Sequence, residues 1–137
     1  MQEIIEVYMP FAYFDYNRVL LQTSVSSYDY LVEKYESIQT LFHVNKQIRL
    51  NDFMAVYNAI EKTERWEELH DLSKLAEKHY PKTMLATYFE ARFEEETGSP
   101  KKAMRSYQKG YGQEPISFLT TDFMLDKADK IKQDFGY

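Results

Sequence analysis

Apolar side chains recur every three or four residues along most of the chain. Between residues 26 and 44, Tyr28, Leu31 and Tyr35 follow this spacing behind two serines. The spacing places them on one face of an amphipathic α-helix, which a serine can cap. The same pattern predicts helices over residues 51–64, 65–81, 82–98, 99–112 and 120–137. Alternating strand patterns are nearly absent, so the sequence predicts an all-α fold.

Turn and capping residues mark the connections between these helices. We expect Gly98 to end one helix, Ser99 to cap the next, and Pro100 to occupy its first turn. Asn51 and Asp52 predict a cap at the start of the second helix. The chain has only four glycines and four prolines. That scarcity favours long helices joined by short turns.

Two segments share a helix–turn–helix layout with a period of 34 residues. Pro81 and Pro115 are separated by this period, and so are Ala76 and Gly110. Small residues are needed where the axes of two packed helices approach to about 8–10 Å. The period therefore predicts two similar helix hairpins in sequence.

This layout resembles the tetratricopeptide repeat. In the second unit the match is carried by Ala103, Tyr107 and Gly110. Its first helix departs from the repeat pattern, because Glu90 and Glu94 stand where a large apolar and an aromatic residue are usual. The resemblance implies a right-handed array of antiparallel helix hairpins.

The expected organisation is a single helical-repeat domain over residues 1–137. The first repeat keeps Trp66 and Leu69 in place but has no glycine at its turn. The expected parts are an N-terminal helical or docking region at 1–49, repeats at 50–83 and 84–117, and a capping helix at 118–137.

A second resemblance covers roughly residues 50–137. The stretches "AIEKTERWEEL", "YFEARFEEETGSPKKAMRSYQKGY" and "TTDFMLDKADKIKQDFGY" are similar to the helical-repeat tail of certain Bacteroidetes esterases of the α/β-hydrolase fold. The resemblance implies a non-catalytic, C-terminal scaffold or protein-interaction domain of a larger hydrolase. A free-standing tetratricopeptide adaptor that binds peptides and a hydrolase in its own right remain as alternatives.

Net charge and the length of the apolar runs limit the classes of partner that we expect. The net charge is −5, from 22 acids against 17 bases, and no segment is basic enough for a phosphate-backbone footprint. We therefore expect protein partners and no nucleic acid. No run approaches about 18 apolar residues, so no membrane partner is expected. The compartment stays open: periplasmic or secreted if an exported hydrolase is attached, and cytoplasmic otherwise.

Motifs for catalysis or cofactor binding are sparse. The Gly-x-Ser-x-Gly elbow of esterases is absent, and the two Ser-x-x-Lys matches, at Ser99 and Ser106, have no companion motif. No two of the three histidines have the i, i+4 spacing of metal ligands, and His79 lies near a helix end whose dipole favours a charged imidazole. The chain has no cysteine, which excludes disulfides and thiolate chemistry. We expect no cofactor and no metal.

One candidate binding surface comes from the repeat resemblance. The first helices of such repeats line a concave groove, which can hold an extended peptide or a carboxylate. The matching positions are Asn51, Met54, Asn58, Glu61, Tyr88 and Arg92. The alternative is that two repeats form too shallow a groove and that these are ordinary surface residues.

A second candidate surface lies near the N-terminus. Residues 7–16, "VYMPFAYFDY", hold one charge and a dense set of aromatic side chains. The aromatic residues are Tyr8, Phe11, Tyr13, Phe14 and Tyr16. They form core if the helices cover them, and a docking patch for a catalytic domain or a second copy if they are exposed.

Overall fold

The computed structural model describes residues 27–42 and 47–137. These ranges contain six α-helices and a short 3₁₀ turn at Gly110–Gly112, with two isolated β-bridges and no strand. The helices are α1 (Ser27–Phe42), α2 (Leu50–Thr63), α3 (Glu67–His79), α4 (Met84–Glu96), α5 (Pro100–Lys109) and α6 (Thr121–Phe135). The all-α prediction is confirmed.

The chain divides into two compact units, one reaching Glu68 and the other spanning Leu69–Tyr137. The N-terminal patch predicted at residues 7–16 lies outside the described residues. In the first unit α1 packs against α2. Its most deeply buried apolar side chains are Leu31, Tyr35, Ile48, Phe53, Val56 and Ile60.

The start of α2 differs from the predicted cap. The residue before the helix is Arg49, whose side chain makes no capping hydrogen bond. Asp52 lies instead in the first turn, buried to 1% exposure, where it accepts the Tyr35 hydroxyl and, at 3.3 Å, the Arg49 Nε–H. A carboxylate in the first turn is also stabilised by the positive end of the helix dipole. The polar residue therefore joins α1 to α2 rather than capping α2.

The second unit is built around α4. This helix packs against α5, and α5 packs against α6. All six residues from Met84 to Phe89 are buried, so the first half of α4 is covered on every side. The other core side chains come mainly from α5 and α6: Ala103, Met104, Tyr107, Leu119, Met124, Ala128 and Ile131.

Two connections between helices have defined backbone geometry. Gly98 takes a left-handed φ of +87° in the turn between α4 and α5, and Pro100 begins α5 as predicted. Ser99 is in the capping position, but its side chain makes no capping hydrogen bond. Further on, Glu114 pairs through its backbone with Lys82 and Met84, with two N–H···O distances of 2.9 Å. The segment after α3 is thereby tied to the segment after α5.

Candidate functional site

An open cleft of about 650 Å³ lies between α3 and α4 in the second unit. One wall is a single polar face of α3, formed by His70, Ser73, Lys74 and Glu77 at helical spacing. The other residues come from α4 and the two tied connections: Ala86, Thr87, Glu90, Lys82, Lys109, Gly112 and Gln113. The cleft is thus lined mainly by polar and charged side chains.

Glu90 connects the two walls. Its Oε2 lies 3.0 Å from Nδ1 of His70 and accepts a hydrogen bond of 3.1 Å from the Ser73 hydroxyl. Ser73 also lies 2.7 Å from the His70 carbonyl oxygen and is itself buried. The His70 ring contacts Phe93, with centroids 5.4 Å apart. Glu90 is one of the two residues that depart from the repeat pattern, and here it makes a polar link in place of an apolar contact.

The Ser73, His70 and Glu90 set contains the residue types of a hydrolytic triad in a different arrangement. A nucleophilic serine needs its hydroxyl against an imidazole nitrogen, with the carboxylate on the other side of the ring. Ser73 is hydrogen-bonded to the carboxylate and to a backbone carbonyl instead. The geometry is that of a structural bridge between helices.

Three lysines line the cleft from three separate segments. Lys74 lies on α3, Lys82 follows it in the connection, and Lys109 ends α5. In residues 27–42 and 47–137, no carboxylate lies within 4 Å of any of these three ammonium groups. All three side chains are exposed. Within the described part of the chain, the cleft therefore has three ammonium groups that form no ion pair.

The part of the wall formed by α4 and the connection after α5 has a fixed amide. Oε1 of Gln113 accepts the Thr87 hydroxyl at 2.5 Å. This bond orients the Gln113 side chain and leaves its NH₂ group available to donate. Next to it, Gly112 has open space where a Cβ would be.

The predicted groove residues of the first unit lie along α2. Asn51, Asn58 and Glu61 are exposed, and Met54 is half-buried. Glu61 accepts the Tyr57 hydroxyl at 2.8 Å, a bond within the helix. Their use as a groove stays a prediction.

The predicted groove residues of the second unit, Tyr88 and Arg92, are one turn apart on α4. Tyr88 is only 7% exposed, because Phe118 and Phe123 pack against its ring with centroid distances of 5.8 and 5.7 Å. Arg92 pairs with Glu95 at 3.5 Å and with Glu96 at 3.0 Å. Both side chains therefore have partners within their own unit.

Glu95 links the last turn of α4 to two other helices. It accepts the Tyr107 hydroxyl from α5 and lies 3.8 Å from the Lys127 ammonium of α6. Burial, followed by the nearby Glu95 carboxylate, raises the pKa of Tyr107 far above its usual range. The phenol therefore stays protonated and keeps donating to Glu95.

Ser106, in one of the two Ser-x-x-Lys matches, is also bound to a carboxylate. Its hydroxyl donates to Glu94 across the α4–α5 hairpin. This contact gives the serine a role in packing.

Large apolar side chains are exposed at three places in the second unit, one of which is Leu125 on α6. Phe118, 45% exposed, forms an edge-to-face aromatic cluster with Phe123 and Tyr88, which we call the aromatic cluster. At the C-terminus Phe135 and Tyr137 stack with centroids 5.9 Å apart and are exposed to 57% and 49%. Aromatic residues are enriched at protein–protein contact surfaces relative to the rest of a protein surface.

Sequence reasoning did not predict the cleft. Its signal was present as the spacing of His70, Ser73, Lys74 and Glu77, which puts four polar side chains on one face of α3. A polar face is read by default as solvent-exposed, and the separation between α3 and α4 is a tertiary property. Among the described residues, no group of acidic or histidine side chains could hold a metal ion, and no helix has the length and apolar character to cross a membrane.

Comparison with known proteins gives one informative match. No family model matches the chain, and neither does any curated protein. A crystal structure of an uncharacterised protein from Capnocytophaga ochracea DSM 7271 matches with a TM-score of 0.86 and 32% sequence identity. The match covers 96% of this chain and 37% of that one, so this chain spans little more than a third of that protein's length. This chain is therefore similar, over nearly all of its length, to one part of a longer polypeptide.

Proposed function

We propose that this chain is a non-catalytic accessory domain that docks onto the rest of a longer polypeptide. The observation that carries the proposal is the match to one part, 37%, of a longer chain at a TM-score of 0.86. The resemblance of residues 50–137 to the tail of Bacteroidetes esterases makes an α/β-hydrolase the proposed remainder. The domain then acts as a scaffold for a catalytic domain.

The proposed architecture is a right-handed array of two tetratricopeptide-like hairpins with a capping helix. The α4–α5 hairpin, its tight turn at Gly98 and the buried small residues Ala103 and Gly110 support the second repeat. In this arrangement α6 is the cap. The boundaries at residues 50, 84 and 118 are part of the same proposal.

The side-chain geometry supports a non-catalytic role. Ser73 lies beside a histidine and a glutamate, Ser106 is in a Ser-x-x-Lys match, and both donate their hydroxyl to a glutamate. A hydroxyl held this way lacks the imidazole or amine that would accept its proton.

The aromatic cluster is the proposed docking surface within the second unit. Phe118 exposes nearly half of its side chain while its ring is held by Tyr88 and Phe123. Rigid, half-exposed aromatic rings bury large areas on contact at little cost in conformational entropy. The proposed occupant is the catalytic part of the same polypeptide, since over half of the matching protein lies outside the aligned region.

Reading the complete open reading frame and assaying its product tests the main proposal. We expect the full-length protein to hydrolyse small aryl esters and residues 1–137 alone to leave them intact. Hydrolysis by residues 1–137 that disappears on Ser106→Ala would overturn the non-catalytic assignment. A reading frame with no catalytic domain would overturn the accessory role.

Replacing an aromatic residue of the aromatic cluster by a charged residue tests whether the cluster is a docking surface. In the full-length protein we expect Phe118→Asp to separate one coupled thermal unfolding transition into two. Leu125→Asp is the control, because Leu125 is similarly exposed on α6 but lies two residues past Phe123, about 200° around the helix. Equal effects of the two substitutions, or none from Phe118→Asp, would exclude this surface.

A further inference from the structure

The cleft between α3 and α4 takes no part in the proposed docking. Its volume of about 650 Å³ is within the range of small-molecule sites. Most of its lining residues have charged or hydrogen-bonding side chains, although carbon atoms make up most of the exposed wall. The charged ends of these side chains are the groups that can select a ligand by its charge.

The balance of charge in the cleft favours an anion. Lys74, Lys82 and Lys109 face two carboxylates, Glu77 and Glu90. Glu90 is already engaged by His70 and Ser73. The three ammonium groups have no acid within 4 Å in the described part of the chain. This local excess of positive charge occurs in a chain whose net charge is −5.

A neutral donor set lies beside these lysines. The Thr87 hydroxyl fixes the amide of Gln113 through its oxygen, so its NH₂ group is presented as a donor. The absence of a side chain at Gly112 leaves room for a ligand to approach the backbone. Ammonium groups and oriented N–H donors together are the groups that bind oxyanions.

The backbone of one cleft lysine, Lys82, is held in place by a hydrogen bond from another segment. Lys82 has a left-handed φ of +64°, and its carbonyl accepts the Glu114 N–H at 2.9 Å. The same pairing places Gln113 next to this connection. One lysine and the amide donor are thus held in a single backbone-paired unit.

We propose that the cleft binds an oxyanion group, phosphate or carboxylate, through Lys74, Lys82, Lys109 and the side-chain amide of Gln113. The group belongs either to a small anionic molecule or to an acidic side chain of a peptide. Both sources present the same oxygen atoms to the same donors.

Amide chemical shifts measured during titration test the site directly. Residues 1–137 labelled with ¹⁵N are titrated with inorganic phosphate, and a parallel series adds sodium chloride to the same ionic strength. We expect saturable shifts at the amides of Thr87, Gly112 and Gln113 with phosphate, and none that saturate with chloride. Shifts that do not saturate, or that lie mainly outside the cleft, would overturn the proposal.

A pair of double variants separates a built site from general attraction to lysines. Lys82→Gln with Lys109→Gln removes two cations of the cleft and is expected to weaken phosphate binding by about tenfold or more, which corresponds to about 1.4 kcal/mol. The control, Lys102→Gln with Lys130→Gln, removes two exposed lysines that do not line the cleft. Equal weakening by both variants would contradict the site.

Two further probes identify the source of the oxyanion. Succinate represents small carboxylates, and a hexapeptide of glutamate represents an acidic segment. Tighter binding of phosphate or succinate than of the peptide supports a small-molecule ligand, and the reverse supports an acidic peptide. Each result supports the oxyanion site, whereas failure of all three probes to saturate the shifts rejects it. None of these outcomes depends on the docking surface or on an attached hydrolase.

Discussion

Gly110 begins the 3₁₀ turn after α5 and lies against Met124 of α6. It is buried, and a Cβ built on it would lie 2.6 Å from Cε and 3.4 Å from Cγ of Met124. Met124 is itself fully buried, so a methyl group at residue 110 would force the end of the Met124 side chain to turn within the core. The small residue predicted from the repeat pattern therefore lies at a close contact with α6.

Replacing Gly110 by alanine should lower the free energy of unfolding. Overpacking costs about 1–3 kcal/mol, partly offset by about 1 kcal/mol from the better helix propensity of alanine. We expect a net loss of about 1 kcal/mol, measured by urea unfolding. Gly112→Ala, where the added methyl group meets nothing within 4 Å, is the matched control and should be close to neutral. Equal stability of the two variants would contradict the contact with Met124.

Two effects act in opposite directions on the pKa of His79. Its place at the end of α3 predicts a stabilised charged form through the helix dipole. In the structure burial, assisted by the positive charge of Lys78, lowers the pKa of His79 below 6.5. Burial and the Lys78 charge thus act against the dipole, which favours the charged imidazole.

The lowered pKa of His79 makes the folded state less stable in mild acid. Below about pH 6.5 the unfolded chain binds a proton at this residue more readily than the folded chain, so the free energy of unfolding falls as the pH decreases. We expect the ring protons of His79 to titrate with a midpoint below 6.5 in an NMR series. His79→Gln should also reduce the loss of stability between pH 7.5 and pH 5. A midpoint at or above 6.5 would show that the dipole dominates.

At the scale of the element, the α-helices differ in how the backbone N–H groups of their first turns are hydrogen-bonded. Thr120 precedes α6 and its hydroxyl oxygen accepts the N–H of Phe123 at 3.1 Å. Ser99 occupies the same position before α5 without such a bond, and Pro100 there has no N–H to satisfy. The two residues look equivalent in the sequence but have different roles in the structure.

Alanine at these two capping positions should therefore have unequal effects. Thr120→Ala should lower the free energy of unfolding by about 1 kcal/mol, the usual cost of losing a cap. Ser99→Ala should change it by less than about 0.5 kcal/mol. Thermal unfolding followed by circular dichroism measures both. A loss for Ser99→Ala as large as for Thr120→Ala would refute the difference.

Apolar periodicity predicted every described helix, because most of these helices bury one stripe; α4, whose first half is buried on every side, also carries apolar residues at helical spacing. The predicted ranges 82–98 and 120–137 enclose α4 and α6, with errors of one or two residues at the ends. The predicted helix at 99–112 ends earlier, at Lys109, and continues as a 3₁₀ turn. End positions depend on local hydrogen bonds, such as that of Asp52, which periodicity does not contain.

The candidate sites were less predictable than the helices. The partners of Tyr88 come from Phe118 and Phe123, about 30 residues later, so its burial follows from tertiary packing. The cleft depends on the spacing of α3 and α4 and on the pairing of residues 82–84 with residue 114. Neither the burial of Tyr88 nor the geometry of the cleft can be read from a local sequence pattern.

At the scale of the whole molecule, residues 69–137 form a unit with its own core. α4, α5 and α6 bury Phe89, Tyr107 and Met124 completely. The Glu95 contacts to Tyr107 and Lys127 join the same three helices. A segment with this much internal packing has the main requirement for independent folding.

A fragment of residues 65–137 should therefore fold alone. It is small, so we expect modest stability of a few kcal/mol. Circular dichroism should show a helical spectrum that melts cooperatively. Tyr107→Ala in the same fragment serves as the negative control, because loss of a fully buried aromatic ring should abolish the transition. A fragment without a cooperative transition would show that the unit needs residues before Arg65.

The backbone pairing of Glu114 with Lys82 and Met84 allows the opening of the cleft to be measured by hydrogen exchange at two amides. The amides of Met84 and Glu114 are hydrogen-bonded to each other's segments and not within a continuing helix. Their exchange with solvent deuterium requires these two connections to separate. The exchange rates at these two amides therefore measure the free energy of opening this end of the cleft separately from the unfolding of α4 and α5. A ligand that needs the closed cleft would slow exchange at both amides together.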